Sequence, residues 1–100
     1  MYSIDWTEDA KADRLQIIDW YDTILSKLAH EFNEEVSYKV DMFIAKYPKI
    51  AQIAHKNARK LSLNRFPYNL VYTIDETKKE VQILAIVHDR RDPRVWKDRI

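Results

Sequence analysis

Cysteine and glycine are both absent from this chain of 100 residues. Without cysteine, disulfides, a thiol nucleophile and a cysteine-based zinc site are excluded. Without glycine, the glycine-rich phosphate loops of P-loop and dinucleotide-binding proteins are excluded, so side chains must hold any bound phosphate. Because residues other than glycine adopt positive φ only at a cost, we expect turns of several residues built on Asp, Asn, Glu and Lys.

Long apolar runs are also absent. No stretch approaches the roughly 20 apolar residues needed to cross a bilayer. The first residues, MYSIDWTEDAK, lack the basic start and apolar core of a signal peptide. The hydrophobic content of 46% is nevertheless enough for a core, and the length corresponds to one domain. We expect a single cytoplasmic domain over residues 1–100 that does not bind a membrane.

Charges of opposite sign are concentrated in the two halves of the chain. Residues 1–47 carry five Lys/Arg against ten Asp/Glu, a net charge of −5, whereas residues 48–100 carry twelve against six, a net charge of +6. Such an asymmetry predicts two faces with different partners. The second half can meet phosphates, which the first half would repel.

A strand and two helices are expected in the first half. Alternating apolar residues predict a short strand over residues 2–6, and Thr7 is placed to cap the helix that follows. Residues 10–47 contain no proline and repeat apolar residues at helical spacing. One helix of that length would span about 55–60 Å, which is too long for a domain of this size. We expect a break near residues 26–30, a helical hairpin, and an end at Pro48.

The second half carries three further strand patterns, within residues 59–64, 66–75 and 80–89. Residues 76–79 form the turn of a hairpin between the last two, while residues 49–57 are expected to be irregular or a short helix. The resulting order is β-α-α-β-β-β. It predicts an α+β domain in which the helical hairpin packs on one face of a small, largely antiparallel four-stranded sheet.

The last strand pattern, ILAIVH, is apolar on both faces and runs directly into DRRDPRVW. A strand of this kind belongs in the interior of a sheet, covered on both sides. Strict alternation would place its side chains in two sets, with Val81, Ile83, Ala85 and Val87 on one face and Leu84 and Ile86 on the other. The cationic segment after the strand would then be mounted on a rigid element.

Three stretches carry a family resemblance: DWYDTILSKLAHEFNEEV (19–36), RKLSLNRFPYNLVYTID (59–75) and VQILAIVHDRRDPRVWKDR (81–99). The first has paired aromatics and a later Ala-x-x-Phe, the second an Arg-x-Leu strand followed by Arg-Phe-Pro-Tyr, and the third a His-x-Arg-Arg-x-Pro-x-x-Trp end. Together they resemble the ParE/RelE superfamily, the toxins of bacterial type II toxin–antitoxin pairs, more closely its ParE branch.

The resemblance implies a small toxin neutralised by an antitoxin from the adjacent gene. The antitoxin's C-terminal segment would lie across the toxin, and its other end would bind operator DNA, which the toxin itself would reach only indirectly. Relatives of the RelE branch cleave messenger RNA on the ribosome, whereas those of the ParE branch inhibit DNA gyrase. The implied target is therefore gyrase or the ribosome with its messenger RNA.

Cleavage of RNA needs a base for the 2′-OH, an acid for the leaving oxygen and cations for the phosphate. The candidates for a nuclease site are Arg59, Arg65, His88 and Arg90. Nuclease relatives tend to carry a tyrosine near the chain end as an acid–base residue, but this chain has Trp96 there, which cannot exchange a proton in that way. This departure favours binding over cleavage. The target-binding residues would then be His88, Arg90, Arg91 and Trp96.

A structural role is the alternative for each of these residues. His88 could satisfy backbone groups at the strand end, the arginines could pair with Asp89 and Asp92, and Trp96 could pack back over the sheet. The basic stretch HKNARKLSLNR (55–65) could be a solvated loop and edge strand, or could contact an acidic antitoxin segment or a nucleic acid.

No metal or other cofactor is expected. The histidines at positions 30, 55 and 88 share no metal-ligand spacing, and in HEFNE (30–34) Glu34 stands where a zinc protease has its second histidine. The favoured prediction is a toxin that binds gyrase and is neutralised by an antitoxin. A ribosome-dependent messenger RNA endonuclease and a degenerate relative that binds only its antitoxin are the alternatives.

Overall fold

Residues 1–91 and 93–100, the part of the chain that this computed structural model describes, form five strands and three α-helices. The strands are β1 (Ser3–Trp6), β2 (Gln52–His55), β3 (Ala58–Ser62), β4 (Tyr68–Asp75) and β5 (Glu80–His88). The helices are α1 (Glu8–Ile24), α2 (Ser26–Lys39) and α3 (Arg94–Lys97). Of the described helices, none combines the length and the apolar character that crossing a bilayer requires.

The helical hairpin forms as predicted, and a single residue separates its two helices. Thr7 caps α1, its Oγ1 accepting a hydrogen bond from the backbone N of Ala10 at 3.1 Å. Leu25 adopts an extended conformation between α1 and α2, immediately before the predicted break. Neither proline nor glycine is present there to break the helix locally. The angle between α1 and α2 must therefore be set by the packing of the two helices against each other and against the sheet.

The second helical segment ends earlier than predicted. A π-helical turn over Val40–Ile44 continues α2, and Pro48 begins a separate 3-10 turn, Pro48–Ile50, instead of ending the helix. The carbonyl of Ala45 accepts a hydrogen bond from the backbone N of Tyr2 at 2.9 Å. This long-range contact joins the end of the helical segment to the residue before β1.

The sheet has five strands in the order β1-β5-β4-β3-β2, not the four that were predicted. β1 runs parallel to β5 and the other pairs are antiparallel, so the sheet is largely antiparallel as expected. The additional strand, β2, lies in the segment expected to be irregular or a short helix. QIAH shows no alternation of burial because it forms an exposed edge, so only its pairing with β3 defines it as a strand.

Two turns show how the chain manages without glycine. In the β4–β5 hairpin, Asp75 Oδ1 accepts hydrogen bonds from the backbone N atoms of Thr77 and Lys78 at 3.0 and 3.1 Å. Lys79 then takes the left-handed conformation, with φ of 53°. The β2–β3 turn is shorter than expected, with only Lys56 and Asn57 between the strands, and Lys56 has φ of 50°. Lysine therefore occupies the positions at which glycine is usual.

A β-bulge in β5 overturns the predicted assignment of its faces. Val71 pairs with Ala85 but Tyr72 pairs with Ile83, so Leu84 is an extra residue in β5. The bulge reverses the alternation beyond it. The side chains that face the helices are those of Val81, Ile83 and Ile86, whereas those of Leu84, Ala85 and Val87 face the opposite side.

Each face of β5 is covered by a different core. The larger core, between the helical hairpin and the sheet, includes Phe32, Val36 and Tyr72, all fully buried. On the opposite face, Trp96 from α3 is only 3% exposed and packs against a smaller cluster. Its other members are Ala58, Val71, Leu84, Ala85 and Val87. The strand is thus interior and covered on both sides, as its sequence predicted.

Candidate functional site

A cleft of about 400 Å³ opens between α1 and the end of β5. The chain turns sharply as it leaves the strand, with the backbone N of Arg91 donating to the carbonyl of His88 at 3.0 Å. The cleft is lined by Asp13, Gln16, Ile17, Tyr68, Ile86, His88, Arg90 and Arg91. Three of the four predicted target-binding residues are therefore brought together.

His88 is partly buried and held in one orientation. Its Nδ1 accepts a hydrogen bond from the backbone N of Arg90 at 3.1 Å, so the neutral ring carries its proton on Nε2. The ring also meets the ring of Tyr68 edge-on, with centroids 5.2 Å apart. His88 thus satisfies a backbone group, as the structural alternative proposed, and lines the cleft as well.

Asp89 is hydrogen-bonded to a residue of the sheet. Its Oδ1 accepts a hydrogen bond from Asn69 Nδ2 at 2.5 Å, and Asn69 Oδ1 accepts one from Ser62 Oγ at 2.6 Å. Asn69 is buried, which makes this chain of three polar groups a firm anchor for the start of the tail.

The two arginines after Asp89 are exposed and lie in the cleft. Neither Arg90 nor Arg91 forms an ion pair with any residue among 1–91 and 93–100. The predicted alternative of pairing with Asp89 does not occur, since that carboxylate bonds to Asn69. Asp92, the other partner considered, lies outside the described residues. Both guanidinium groups are therefore available to an anionic group in the cleft.

Tyr68 lines the cleft but was not among the predicted site residues, because a tyrosine was sought near the chain end. Burial raises the pKa of Tyr68, and the nearby Arg91 cation acts in the opposite direction. Counting back from the turn, where Asp75 pairs with Glu80, would place Tyr68 opposite Val87. The bulge shifts the register by one residue, so that Tyr68 pairs with His88 instead. Only knowledge of the bulge could have revealed the pair.

Arg59 and Arg65, the other two nuclease candidates, do not line the cleft. Arg59 donates to the carbonyls of Ala51 and Lys49 at 2.7 and 3.3 Å. It pairs in the sheet with Tyr72, four residues from Tyr68 and so about 13 Å along the strand.

Arg65 is bound to α2. Its guanidinium lies 2.6 Å from Glu31 Oε2, and its backbone N donates to Glu35 at 3.1 Å. Of the four residues predicted for a nuclease, only His88 and Arg90 come together. Two of the four cations in the basic stretch HKNARKLSLNR are therefore occupied by structural contacts.

Trp96, predicted as a target-binding residue, is buried on the face of the sheet opposite the helices. Its ring also meets that of His55 edge-on at 6.0 Å. In this position it fixes α3 against the sheet. Within the described residues, no group of three His, Asp or Glu side chains could hold a metal ion.

Taken together, a helical hairpin on a five-stranded sheet and a cationic segment leaving the last strand form the small α+β domain that the resemblance to the ParE/RelE superfamily implies. The sequence model of a family described as "ParE toxin of type II toxin-antitoxin system, parDE" matches residues 4–93. The chain belongs to this ParE toxin family.

Solved structures agree with that assignment. The chromosomal ParDE toxin–antitoxin system from P. aeruginosa matches with a TM-score of 0.77 and 25% identity, over 88% of this chain and 96% of the matched chain. The intact E. coli RelBE toxin–antitoxin complex matches with a TM-score of 0.60 and 17% identity, over 91% and 100%. The isolated E. coli RelE toxin gives 0.59 and 16%, over 95% and 92%. The two RelE likenesses concern the fold alone. No curated protein matches the sequence.

Proposed function

We propose that this chain is a toxin that arrests growth by binding an essential target, DNA gyrase, and that a cognate antitoxin from the adjacent gene neutralises it. Membership of the ParE family supports the choice of target. The observation that carries the proposal is the cleft, in which Arg90 and Arg91 have no ion-pair partner among the described residues. An anionic group of the target would bind there.

Binding is favoured over cleavage because the cations that a nuclease would need are dispersed. Arg59 and Arg65 are held by backbone carbonyls and by Glu31, respectively. Stabilising a phosphoryl transition state requires several cations aimed at one phosphate. The cleft offers two arginines and an imidazole, which is a set suited to holding an anion.

A ribosome-dependent messenger RNA endonuclease is the second candidate, and one observation favours it. Tyr68 and His88 lie with their rings 5.2 Å apart in the arginine-lined cleft. A phenol and an imidazole can serve as proton donor and acceptor. In this reading Tyr68 replaces the tyrosine that nuclease relatives tend to carry near the chain end.

The antitoxin would bind along α1. Trp20 and Ile24 are more than half exposed, and at helical spacing they continue the stripe of Asp13 and Gln16 that lines the cleft. An amphipathic segment laid on this stripe would bury both apolar side chains and cover the cleft. The matched P. aeruginosa and E. coli structures are themselves toxin–antitoxin systems, which supports such a partner. Operator DNA would be reached only through the antitoxin.

One expression experiment separates the two mechanisms. The toxin is induced without its antitoxin, and plasmid supercoiling, the DNA-damage response and messenger RNA integrity are followed together. We expect altered supercoiling with intact messenger RNA. Rapid cleavage of messenger RNA with normal supercoiling would instead establish the nuclease. Unimpaired growth with the folded wild-type protein would instead support the remaining alternative, a degenerate relative that binds only its antitoxin.

A pair of matched variants tests the site. Replacing Arg90 and Arg91 by alanine should abolish growth arrest, whereas replacing Lys46 and Lys78, which are exposed and lie outside the cleft, should not. Both double variants lose two positive charges, so a difference between them cannot come from net charge. Full toxicity of the arginine variant would rule out the cleft as the target-binding site.

A further inference from the structure

Arg99, near the end of the chain, forms a bidentate ion pair with Asp13 of α1. Its guanidinium donates to both carboxylate oxygens of Asp13, with N–O distances of 2.7 and 3.3 Å. The two side chains are 21% and 16% exposed, respectively. A bidentate pair that is largely removed from water holds both groups in one orientation. The backbone and α3 therefore place Arg99 against α1 although the two residues are far apart in sequence.

The pair also occupies an edge of the sheet that β1 leaves open. β1 pairs with β5 only as far as Ile83. Beyond that point, Asp13 Oδ2 accepts a hydrogen bond from the backbone N of Ile86 at 3.0 Å, and Arg99 donates to the carbonyl of Leu84 at 3.0 Å. Backbone groups that β1 leaves without a strand partner are thereby satisfied by side chains.

The position of Asp13 creates an electrostatic problem that Arg99 resolves. Among the described residues that line the cleft, Asp13 is the single carboxylate, and Arg90 and Arg91 are the two cations. An uncompensated carboxylate would compete with a bound anion for those cations and would repel it. Arg99 does not line the cleft, yet it contacts the carboxylate directly.

We propose that Arg99 is a positioning residue for the cleft, whose pairing with Asp13 cancels the negative charge that would otherwise oppose an anion held by Arg90 and Arg91. This inference rests on the proposed function, because it assumes that an anionic group binds there. The group could be a phosphate or a carboxylate, since both present the oxygen atoms that paired guanidinium groups bind.

Opposite effects of two substitutions distinguish this role from a structural one. Arg99→Gln removes the compensating cation and leaves the carboxylate, so it should weaken anion binding by about five- to tenfold at low salt. Asp13→Asn breaks the same pair but removes the carboxylate, so the net charge of the pair becomes +1 and affinity should be higher. The double variant should bind within about twofold of the wild type, because the net charge of the pair is again zero.

Inorganic phosphate is the probe, titrated at low salt and followed by NMR at the backbone amides of Arg90 and Arg91. Acetate is titrated in parallel, which distinguishes a phosphate from a carboxylate ligand, and the same ranking of variants is expected with either anion that binds. Melting temperatures confirm that each variant is folded. Should Arg99→Gln fail to fold, Arg99→Lys keeps the positive charge and should keep wild-type affinity.

Equal weakening by Arg99→Gln and Asp13→Asn would overturn the inference while leaving the cleft as an anion site. The same holds if Asp13→Asn alone lowers the affinity of a folded protein. A wild-type protein that binds neither phosphate nor acetate at Arg90 and Arg91 would instead overturn the proposed site, and the inference with it. The two failures are therefore distinguishable.

Discussion

Two pairs of arginines in the basic half of the chain have opposite surroundings. Arg59 and Arg65 are bound to backbone carbonyls and to Glu31, whereas Arg90 and Arg91 have no ion-pair partner among residues 1–91 and 93–100. All four were candidates for the site on residue type alone. The difference shows that an arginine becomes available for a ligand only where the fold leaves its guanidinium group without a hydrogen-bond or ion-pair partner.

One arginine of each pair, Arg59 or Arg91, also acts on a tyrosine of β4. Burial raises the pKa of Tyr72, opposed by the backbone at Ala51 and by the Arg59 cation, and Tyr72 donates a hydrogen bond to the carbonyl of Pro48 at 2.6 Å. Burial likewise raises the pKa of Tyr68, opposed by Arg91. One arginine–tyrosine pair is thus part of the core and the other part of a cleft.

The largest effect is expected from removing Trp96, which holds the segment after Arg90 and Arg91 against the sheet. Trp96→Ala deletes the centre of the smaller core, so we expect a loss of about 3–5 kcal/mol in the free energy of unfolding. Urea denaturation measures this loss. Trp96→Phe, which keeps an aromatic side chain, should cost considerably less. Wild-type stability of Trp96→Ala would show that the second core does not hold the tail.

A smaller loss of stability is expected from replacing Arg59 or Arg65, the two arginines with structural contacts. Arg59→Ala leaves the carbonyls of Ala51 and Lys49 without their donor, which should lower the free energy of unfolding by about 1.5–3 kcal/mol. Arg65→Ala removes an exposed ion pair and should cost about 0.2–1 kcal/mol. If Arg59→Ala is neutral in denaturation but abolishes growth arrest, the distinction between the two pairs is wrong.

A still smaller change in stability is expected from replacing Arg90 and Arg91, despite their proposed importance for toxicity. Alanine at Arg90 and Arg91 should change the free energy of unfolding by less than about 0.5 kcal/mol, because no described residue pairs with them. The same variant should lose growth arrest. Denaturation of the purified double variant, beside the toxicity assay, checks both statements, and a large destabilisation would assign these arginines a structural role.

The most subtle effect concerns the ionisation of Tyr68. Removing the Arg91 cation takes away a stabilising influence on the phenolate, so Arg91→Ala should raise the pKa of Tyr68 further. Since the folded-state pKa of Tyr68 lies above its unfolded value, its contribution to stability is present below about pH 10 and is lost as the pH rises through the folded value. NMR of the labelled Tyr68 ring, with Arg59→Ala as the control, measures the shift. An unchanged pKa would place Arg91 away from the ring.

Much of the fold followed from local patterns. The cap at Thr7 and the β4–β5 turn were predicted because each depends on residues close in sequence. The helical hairpin was predicted because a single helix of that length is too long for the domain. β2 was missed because an exposed edge strand carries no apolar alternation. The faces of β5 were predicted wrongly beyond Leu84 because a bulge is a property of the pairing with β4, which periodicity does not report.

The sequence by itself determined the class of the molecule: an α+β domain without glycine-based phosphate loops, and a final apolar strand that leads into cations. Only the tertiary structure decided which residues meet at the end of that strand. The bulge places His88 opposite Tyr68. Asn69 donates a hydrogen bond to Asp89, so that this carboxylate does not pair with the arginines, and Arg99 forms an ion pair with Asp13. The physical reason is that hydrophobic periodicity is local, whereas the partner of each charge depends on strand register and on contacts between distant segments.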